Sequence, residues 1–294
     1  MRIAYLILCH KNAKQVNLLL QELLCDGDCY VHIDKKSRIR KGELITSKHI
    51  FYVSETKRVD VRWTSNSMIR ATLELIDLLL ERNEYYEYVC LLSGQDFPIK
   101  SMEERQQYLN DNNGMNYIEV LPHNNAYFKR YEKRNRMYYP SYMFRGTYLT
   151  RALRKLFIIS SGGWYHTMWF LRRNNGSGLS FEYGSQWWCL TYECVKWMQQ
   201  FIKECVNVDY FDHSLTPDEC FFQSVFMASP YKDKRKDKVV FLEWAADRNH
   251  PRVFRTEDYD LLQKQEDKLF ARKFDITIDN IIIEMLTEKL NISL

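Results

Sequence analysis

Short apolar segments alternate with amphipathic helical segments through the first 120 residues of this 294-residue chain. Residues 3–9 are all apolar and of strand length, whereas residues 12–24 place their apolar side chains at helical spacing. The same pattern predicts further strands at 29–33, 50–53, 88–92 and 117–120, and helices at 67–80 and from 102. The alternation ends after residue 119. Beyond the basic segment that follows, strands are predicted at 186–190 and 239–242, together with two C-terminal helices. This pattern predicts an α/β sheet with helices on both faces.

Polar residues directly follow three of these predicted strands. His10 follows the first strand, Asp34 the second, and Ser93-Gly94-Gln95-Asp96 the fourth. In sheets of this kind, ligands bind at the carboxyl ends of the strands. The sequence therefore predicts a ligand site along one edge of the sheet, lined by these residues.

The tetrapeptide Thr216-Pro217-Asp218-Glu219 precedes an apolar run, Cys220-Phe221-Phe222. Proline presets a first helical turn and Thr216 is a good N-cap, so this segment is expected to begin a helix. Glu219 would then be a carboxylate held in a rigid frame, which is what a general base needs. The alternative is an ordinary helix start, in which the acids complement the helix dipole.

The stretch from Tyr127 to Arg173 is strongly basic, with eleven Lys or Arg and a single acid, Glu132, in a chain whose total charge is +4. Its interleaved aromatic residues include Tyr138, Tyr139, Tyr142, Phe144, Tyr148, Trp164 and Trp169. This combination suggests an anionic partner such as a nucleotide diphosphate or anionic lipid headgroups, with a solvated basic face as the alternative. Because no RNA- or DNA-binding signature is present, nucleic acid is not an expected partner.

No apolar run approaches the roughly 18–20 residues that a membrane-spanning helix needs. Residues 1–9 carry one charge and lack a small-residue cleavage site after them, so a buried first strand is expected rather than a signal peptide. Without an export signal, the eight cysteines are expected to be reduced and the chain to be cytoplasmic.

The glycine-rich motifs of dinucleotide-binding folds and of P-loops are absent. Two Asp-x-Asp sequences occur, at Asp26-Gly27-Asp28 and Asp258-Tyr259-Asp260. The first precedes its strand in a turn and the second opens a predicted helix, so neither lies at the ligand edge where a metal–diphosphate site would need it. We expect both to be structural.

The chain resembles the core-2/I-branching glycosyltransferases, the family that includes branching N-acetylglucosaminyltransferases and peptide xylosyltransferases. Eight matching segments occur in the family's order, and together they make a chance match untenable. They are Cys9-His10-Lys11, Val31-His32-Ile33-Asp34-Lys35-Lys36-Ser37, Val61-Arg62-Trp63 through Ser67 and Ala71, Leu91-Leu92-Ser93-Gly94-Gln95-Asp96-Phe97-Pro98-Ile99-Lys100, Tyr117-Ile118-Glu119, Gly184-Ser185-Gln186-Trp187-Trp188, Thr216-Pro217-Asp218-Glu219 and Leu269-Phe270-Ala271-Arg272-Lys273-Phe274-Asp275.

The resemblance implies a GT-A-like α/β fold, with a Rossmann-type mixed sheet flanked by helices in a single catalytic domain spanning 1–294. Residues 1–120 would form the nucleotide-sugar-binding half, and 121–294 the acceptor-binding and catalytic half. The family is known for inverting transfer without a metal ion. No cofactor and no divalent metal are therefore expected, and the UDP-sugar is the donor substrate.

Catalytic roles carry over from the family residue by residue. Glu219 matches the general base, and Lys273 matches a lysine that binds the diphosphate. Arg252 aligns best with the family's diphosphate-binding arginine by its spacing from His250, and Arg255 is the other candidate. Cations that are already in place at a leaving group stabilise the charge that develops on it and contribute strongly to the rate. These residues would therefore take the place of a metal ion.

Further substrate contacts are expected around these groups. Asp34 would contact uracil or ribose, Glu119 matches an acceptor-binding glutamate, and Asp96 either contacts the sugar or fixes its turn. The remaining expected substrate-binding residues are His10, Trp63, Gly184, Ser185 and Gln186.

The expected reaction transfers N-acetylglucosamine from its UDP derivative to a hydroxyl of a glycan acceptor, in bacterial surface-polysaccharide synthesis. UDP-xylose or another UDP-hexose is the alternative donor. The basic residues that follow the family's acceptor-binding glutamate are replaced here by Pro122-His123-Asn124-Asn125-Ala126, so a mucin-type acceptor is not expected. Residues 127–173 would rest on an anionic membrane and admit a lipid-linked acceptor.

The alternative from another class is a non-catalytic carbohydrate- or lipid-headgroup-binding module on a decayed transferase fold. The presence of both Glu219 and Lys273 argues against such decay.

Overall fold

A computed structural model describes residues 1–125, 128, 132, 134–144, 147–153, 155, 156, 172–244 and 251–292. Trp164 and Trp169 of the basic stretch lie outside the described residues. Within the described ranges, no helix is both long enough and apolar enough to cross a membrane.

The strands are β1 Ile3–Cys9, β2 Gly27–Ile33, β3 Ile50–Tyr52, β4 Tyr88–Ser93, β5 Asp96–Pro98, β6 Asn116–Ile118, β7 Trp188–Thr191, β8 Arg235–Lys236, β9 Val240–Leu242 and β10 Phe270–Arg272. The α-helices are α1 Ala13–Leu23, α2 Ser67–Glu81, α3 Met102–Asp111, α4 Tyr192–Cys205, α5 Phe221–Met227, α6 Tyr259–Gln263 and α7 Ile281–Ile292. Residues 148–153, 155 and 156 are also helical. Most of these elements fall within a few residues of their predicted positions.

The main sheet has seven strands in the order β3-β2-β1-β4-β7-β6-β8. β1 lies inside the sheet between β2 and β4, pairs in parallel with both, and buries all seven of its residues. Burial on both faces explains why this strand is apolar throughout rather than alternating. β7 runs antiparallel to both β4 and β6, so the sheet is mixed.

A second sheet joins distant parts of the chain in the order β5-β10-β9. β5 pairs antiparallel with β10, and β10 pairs in parallel with β9. Because β4 also pairs with β7, strands from early and late in the sequence share both sheets. The structure confirms the predicted single α/β domain, built on a mixed sheet and flanked by helices.

Gln15 in the first turn of α1 fixes the C-terminal segment against the end of the central strands. Its Nε2 donates to the carbonyls of Gly94, at 3.2 Å, and Phe274, at 3.1 Å, and its Oε1 accepts from the Ile276 N–H. Because Gln15 is fully buried, these bonds form out of reach of water. They hold the chain that follows β10 beside the carboxyl ends of β1 and β4.

Two expectations from the sequence are wrong. Cys90 on β4 and Cys189 on β7 are register partners with Cα atoms 4.1 Å apart and form a disulfide, so the cysteines are not all reduced. The segment at Glu219 is also not a Thr216-capped α-helix: a 3-10 turn, Pro217–Glu219, comes first, and α5 begins at Phe221.

Candidate active site

A cleft of about 630 Å³ opens where β1 and β2 end, at the predicted edge of the sheet. His10 and Lys11 line it after β1, Asp34 and Lys36 line it after β2, and Arg38 adds a further cation. The pKa of the His10 imidazole is lowered, first by its partial removal from water and then by the Lys11 ammonium group. The lining thus carries three cations against the two carboxylates Asp34 and Glu43, and this excess of positive charge suits an anionic ligand.

Asp34 is buried and forms several hydrogen bonds within the protein. Its Oδ1 accepts from the backbone N–H groups of Lys36, at 3.1 Å, and Val61, at 3.3 Å, and its Oδ2 pairs with Lys36 Nζ at 3.0 Å. Lys36 also pairs with Asp60 at 3.1 Å. Asp34 thus fixes the loop that leads to Trp63.

Lys273 lies directly after β10 and is partly buried. Among the described residues, its ammonium group forms neither a hydrogen bond nor an ion pair. Removal from water lowers the pKa of Lys273, and the nearby Lys11 and Arg272 cations lower it further. The Lys273 carbonyl accepts from the Phe254 N–H at 2.9 Å, which places the arginine-containing segment alongside it. Lys273 is thus a cation that a bound anion would stabilise.

The two candidate arginines on either side of Phe254 differ in their partners. Arg252 donates to both carboxylate oxygens of Asp258, at 2.8 Å each, and to Glu243 at 2.9 Å. The exposed Arg255 side chain makes no hydrogen bond or ion pair with any described residue. In this state Arg252 holds the loop together, while Arg255 is available to a ligand.

Asp96 is fully buried, so it does not face the cleft. It accepts from the Ser93 N–H and Oγ, both at 2.8 Å, and pairs with Arg272 Nη1 at 3.3 Å. The Arg272 guanidinium in turn lies 4.2 Å from the centre of the Trp187 ring. Of the two roles considered for Asp96, the geometry favours fixing the turn, and through Arg272 it also links β10 to the segment that contains Trp187.

Glu219 ends the 3-10 turn Pro217–Glu219 and is partly exposed, with 23% of its side chain accessible. Thr216 precedes the turn with a left-handed backbone, at φ 51°, and its side chain makes no capping bond to the turn. The Glu219 carbonyl accepts from the Gly184 N–H at 3.0 Å. The turn that carries the Glu219 carboxylate is therefore fixed by a backbone hydrogen bond to a neighbouring segment rather than by a helix cap.

Gly184 packs between Glu119 and the Glu219 turn. A Cβ atom at Gly184 would lie 1.9 Å from the Glu119 carbonyl oxygen, so only glycine permits this approach. The Glu119 carboxylate accepts from the Ser185 N–H at 2.7 Å and forms an ion pair with Lys238. Gln186 is buried, and its Nε2 has no hydrogen-bond partner among the described residues. The predicted residues 119 and 184–186 thus form one cluster beside Glu219.

Trp63 is brought to the same turn by its neighbour. The Thr216 N–H donates to the Thr64 carbonyl at 2.8 Å, and Thr64 also has a left-handed backbone, at φ 69°. Trp63 is 66% exposed. An exposed indole beside a partly exposed carboxylate is suited to a sugar ring that presents its apolar face to the indole and a hydroxyl to Glu219.

Two residues near Glu219, Arg134 and Lys238, were not identified from the sequence. Arg134 Nη1 lies 3.7 Å from Glu219 Oε2 and donates to Thr216 Oγ1 at 3.2 Å. Lys238 forms the ion pair with Glu119 described above. Burial raises the pKa of Asp218, the carboxyl group next to Glu219 in the sequence, to about 6. The basic stretch was the only sequence signal for Arg134, and nothing in the sequence singled out Lys238.

The Asp-x-Asp residues are paired within the protein. Asp26 forms a fully buried ion pair with Arg105 at 2.8 Å, and Asp28 contacts His49 at 2.8 Å. Both aspartates lie at the start of β2, opposite its carboxyl end, while Asp258 is held by Arg252. Among the residues that the structure describes, no group of three His, Cys, Asp or Glu side chains could hold a metal ion.

Comparison with known proteins agrees with the resemblance. The sequence model of the Core-2/I-Branching enzyme family matches residues 3–266. The chain is similar to xylosyltransferase oxt of Drosophila melanogaster, with 25% identity over 98% of this chain and 33% of that protein. It is also similar to xylosyltransferase 2 of Rattus norvegicus, with 24% identity over 97% of the chain and 33% of the relative, and to human xylosyltransferase 1, with 23% identity over 97% and 30%.

The chain spans about a third of the length of these curated relatives. The family match nevertheless covers almost all of it, and includes the cleft, Glu119, the 184–186 segment and Glu219. The chain therefore belongs to the Core-2/I-branching enzyme family of glycosyltransferases.

Proposed function

We propose that this protein is an inverting transferase that moves a sugar from a UDP-sugar to a hydroxyl of a glycan acceptor, without a divalent metal. The observation that carries the proposal is Lys273. It is a partly buried cation with a lowered pKa and no partner among the described residues, and it lies close to the cationic cleft. Burial disfavours the charged form of such a group, and a bound diphosphate would stabilise it.

The diphosphate would lie between Lys273 and the cations of the cleft. The Lys11 ammonium group forms an ion pair at 2.6 Å with Asp275, which lies two residues after Lys273 in the sequence. Lys11 and Lys273 therefore lie in the same part of the molecule. Arg255 is the arginine whose side chain has no partner among the described residues, and Arg252 could join only by giving up Asp258 or Glu243. Fixed cations of this kind stabilise the charge that develops on departing UDP, which is the role a metal plays in other transferases.

The chemistry would be a single displacement. The acceptor oxygen forms a bond to the anomeric carbon as the bond from that carbon to the diphosphate oxygen breaks, and the configuration inverts. The hydroxyl proton passes to the Glu219 carboxylate, and the electron pair of the broken bond leaves with UDP. The Gly184 bond and the Arg134 ion pair fix the position of Glu219. A positioned base of this kind contributes roughly 10²–10⁴ in rate.

The donor sugar is a separate choice. The sequence led us to expect UDP-N-acetylglucosamine, and we retain it as the first donor to test. The relatives described above are named xylosyltransferases, and this specific observation favours UDP-xylose as the second candidate. A direct comparison of the two donors decides between them.

The acceptor side is proposed from the residues around the Glu219 turn. Trp63 would stack on the acceptor sugar. One carboxylate oxygen of Glu119 would accept a hydrogen bond from a hydroxyl of that sugar while the other remains paired with Lys238.

We further propose a bacterial, cytoplasmic enzyme of surface-polysaccharide assembly.

The experiment is a UDP-release screen over UDP-sugars, with and without simple glycan acceptors. Wild type is compared with Glu219→Gln, Lys273→Ala and the exposed-lysine control Lys14→Ala. We expect turnover with one donor, loss of turnover in Glu219→Gln, and weaker UDP binding in Lys273→Ala alone. Binding of UDP without turnover of any UDP-sugar would instead support the non-catalytic module.

A further inference from the structure

Exposed apolar side chains are concentrated in one part of the basic stretch. Half of the large apolar side chains that stand exposed in the described part of the chain fall within residues 138–156. Tyr148 is 92% exposed, Leu149 69%, Leu156 64% and Leu153 40%. Single exposed leucines are ordinary, but a cluster of them marks an interaction surface.

These residues share one short helical segment, which we call the basic helix and define by its described residues, 148–153, 155 and 156. Thr147 begins it, because its Oγ1 accepts from the Thr150 N–H at 3.3 Å and its carbonyl accepts from the Arg151 N–H at 2.9 Å. At helical spacing, Leu149, Leu153 and Leu156 fall within an arc of roughly 60°. Arg151 and Lys155 lie outside that arc, and both are exposed. The helix is therefore amphipathic, with the leucine stripe on one face and the two cations on the opposite face.

The surrounding charge restricts what can cover this surface. From Lys133 to Arg173 the sequence has nine Lys or Arg and no acid. A second copy docked through the same face would bring two basic stretches together, which like-charge repulsion opposes. A soluble acidic glycan would pair with the cations but leave the leucines in water. An anionic lipid surface satisfies both, because headgroup phosphates face the cations and the acyl boundary accepts the leucines.

We propose that the basic helix docks this protein on anionic membrane, with its leucine stripe at the acyl boundary and Arg151 and Lys155 at the headgroups. The same stretch reaches the catalytic turn, since the Leu215 N–H donates to the Arg134 carbonyl at 3.1 Å and Arg134 pairs with Glu219. A protein docked in this way would take a lipid-linked acceptor from the same membrane. This last step rests on the proposed function, whereas the docking itself does not.

The test is vesicle flotation of the full chain. Vesicles of phosphatidylcholine alone are compared with vesicles that also contain phosphatidylglycerol, at low and at high salt. We expect binding to the anionic vesicles at low salt, little binding to the neutral ones, and release as salt rises. Each cation near the surface contributes about fivefold to partitioning, so Arg151→Glu with Lys155→Glu should lower it by about 25-fold or more.

Matched variants separate the two parts of the surface from general effects. Leu149→Glu with Leu153→Glu should also abolish binding, while Ile281→Glu, at another exposed apolar residue, and Lys196→Glu, at another exposed helical lysine, should leave it intact. Thermal unfolding verifies that each variant folds, since all of these side chains are exposed.

Three outcomes would overturn the proposal. They are equal binding to neutral and anionic vesicles, no binding to either at low salt, and full binding by the charge-reversal variant. A dimer in light scattering that disappears in the leucine variant would assign the surface to a second copy instead. UDP-sugar turnover with a soluble acceptor is measured on the same variants, so failure of membrane docking is distinguished from failure of the proposed function.

Discussion

Replacement of Gly184 by alanine tests whether the wedge between Glu119 and the Glu219 turn sets the catalytic geometry. The added methyl carbon would lie 1.9 Å from the Glu119 carbonyl oxygen and 2.7 Å from its carbonyl carbon. Both are backbone atoms, so no side chain can rotate away to relieve the clash. An ordinary carbon–oxygen contact requires more than 3 Å, so the two segments must separate by about 1 Å.

The magnitude follows from that displacement. Overpacking that moves backbone costs typically 1–3 kcal/mol, and we expect Gly184→Ala to lower the free energy of unfolding by about 3 kcal/mol. The Gly184 N–H holds the Glu219 carbonyl, so the displacement is passed to the proposed base. Misplacement of a catalytic group by about 1 Å can reduce the rate roughly 100-fold, and we expect a loss of that size in kcat.

Denaturant unfolding measures the first effect, and UDP release at saturating donor, on protein shown to be folded, measures the second. The control is Gly176→Ala, where the added carbon meets only Tyr210 at an ordinary 3.8 Å. UDP affinity should be retained by both variants, because the cleft lies on other strands. A Gly184→Ala protein with the stability and kcat of the control would refute the role assigned to this contact.

Glu219→Gln is expected to lower kcat by roughly 10²–10⁴ with UDP affinity retained, and near-normal turnover in the UDP-release assay would remove Glu219 as the base. Lys273→Ala should weaken UDP binding by about 2 kcal/mol in a calorimetric titration, and unchanged affinity would contradict the diphosphate assignment. Activity is expected to be unaffected by EDTA, and loss that Mn²⁺ restores would require a metal site. Burial raises the pKa of Asp218, so the contribution of this carboxyl group to the free energy of unfolding should fall as pH rises from the usual 3.8 to about 6. The stability gained by Asp218→Asn should therefore grow over that range in pH-dependent unfolding, and a pH-independent gain would contradict the shift.

Periodicity predicted the central elements well because burial imposes it. β1 is buried over its whole length, and its apolar run marks both of its ends. β5, β8 and β10 were not predicted as strands, because they form by pairing with strands distant in the sequence, and this pairing leaves no local pattern. The disulfide was missed for the same reason, since the antiparallel register of β4 and β7 is not encoded near Cys90 or Cys189.

The site was predicted only as far as family motifs and strand ends reach. Thr216 was expected to be a helix N-cap from its local preference, but its N–H is taken by the Thr64 carbonyl, and this tertiary bond imposes another backbone conformation. Asp96 follows β4, as a ligand-binding residue at a strand end would, but its carboxylate is buried and pairs with Arg272. Arg134 and Lys238 act through contacts across more than 80 residues of sequence, which no local pattern reports.

The hydrogen-bonded pair Thr64 and Thr216 has a consequence for how this protein would respond to heat. A β-branched residue in the left-handed region costs about 1–2 kcal/mol relative to glycine. Selection for thermal tolerance alone would therefore favour glycine at either position. The loss of strain would also loosen the turn that carries Glu219, so heat-adapted variants with such a glycine should turn over more slowly than the parent.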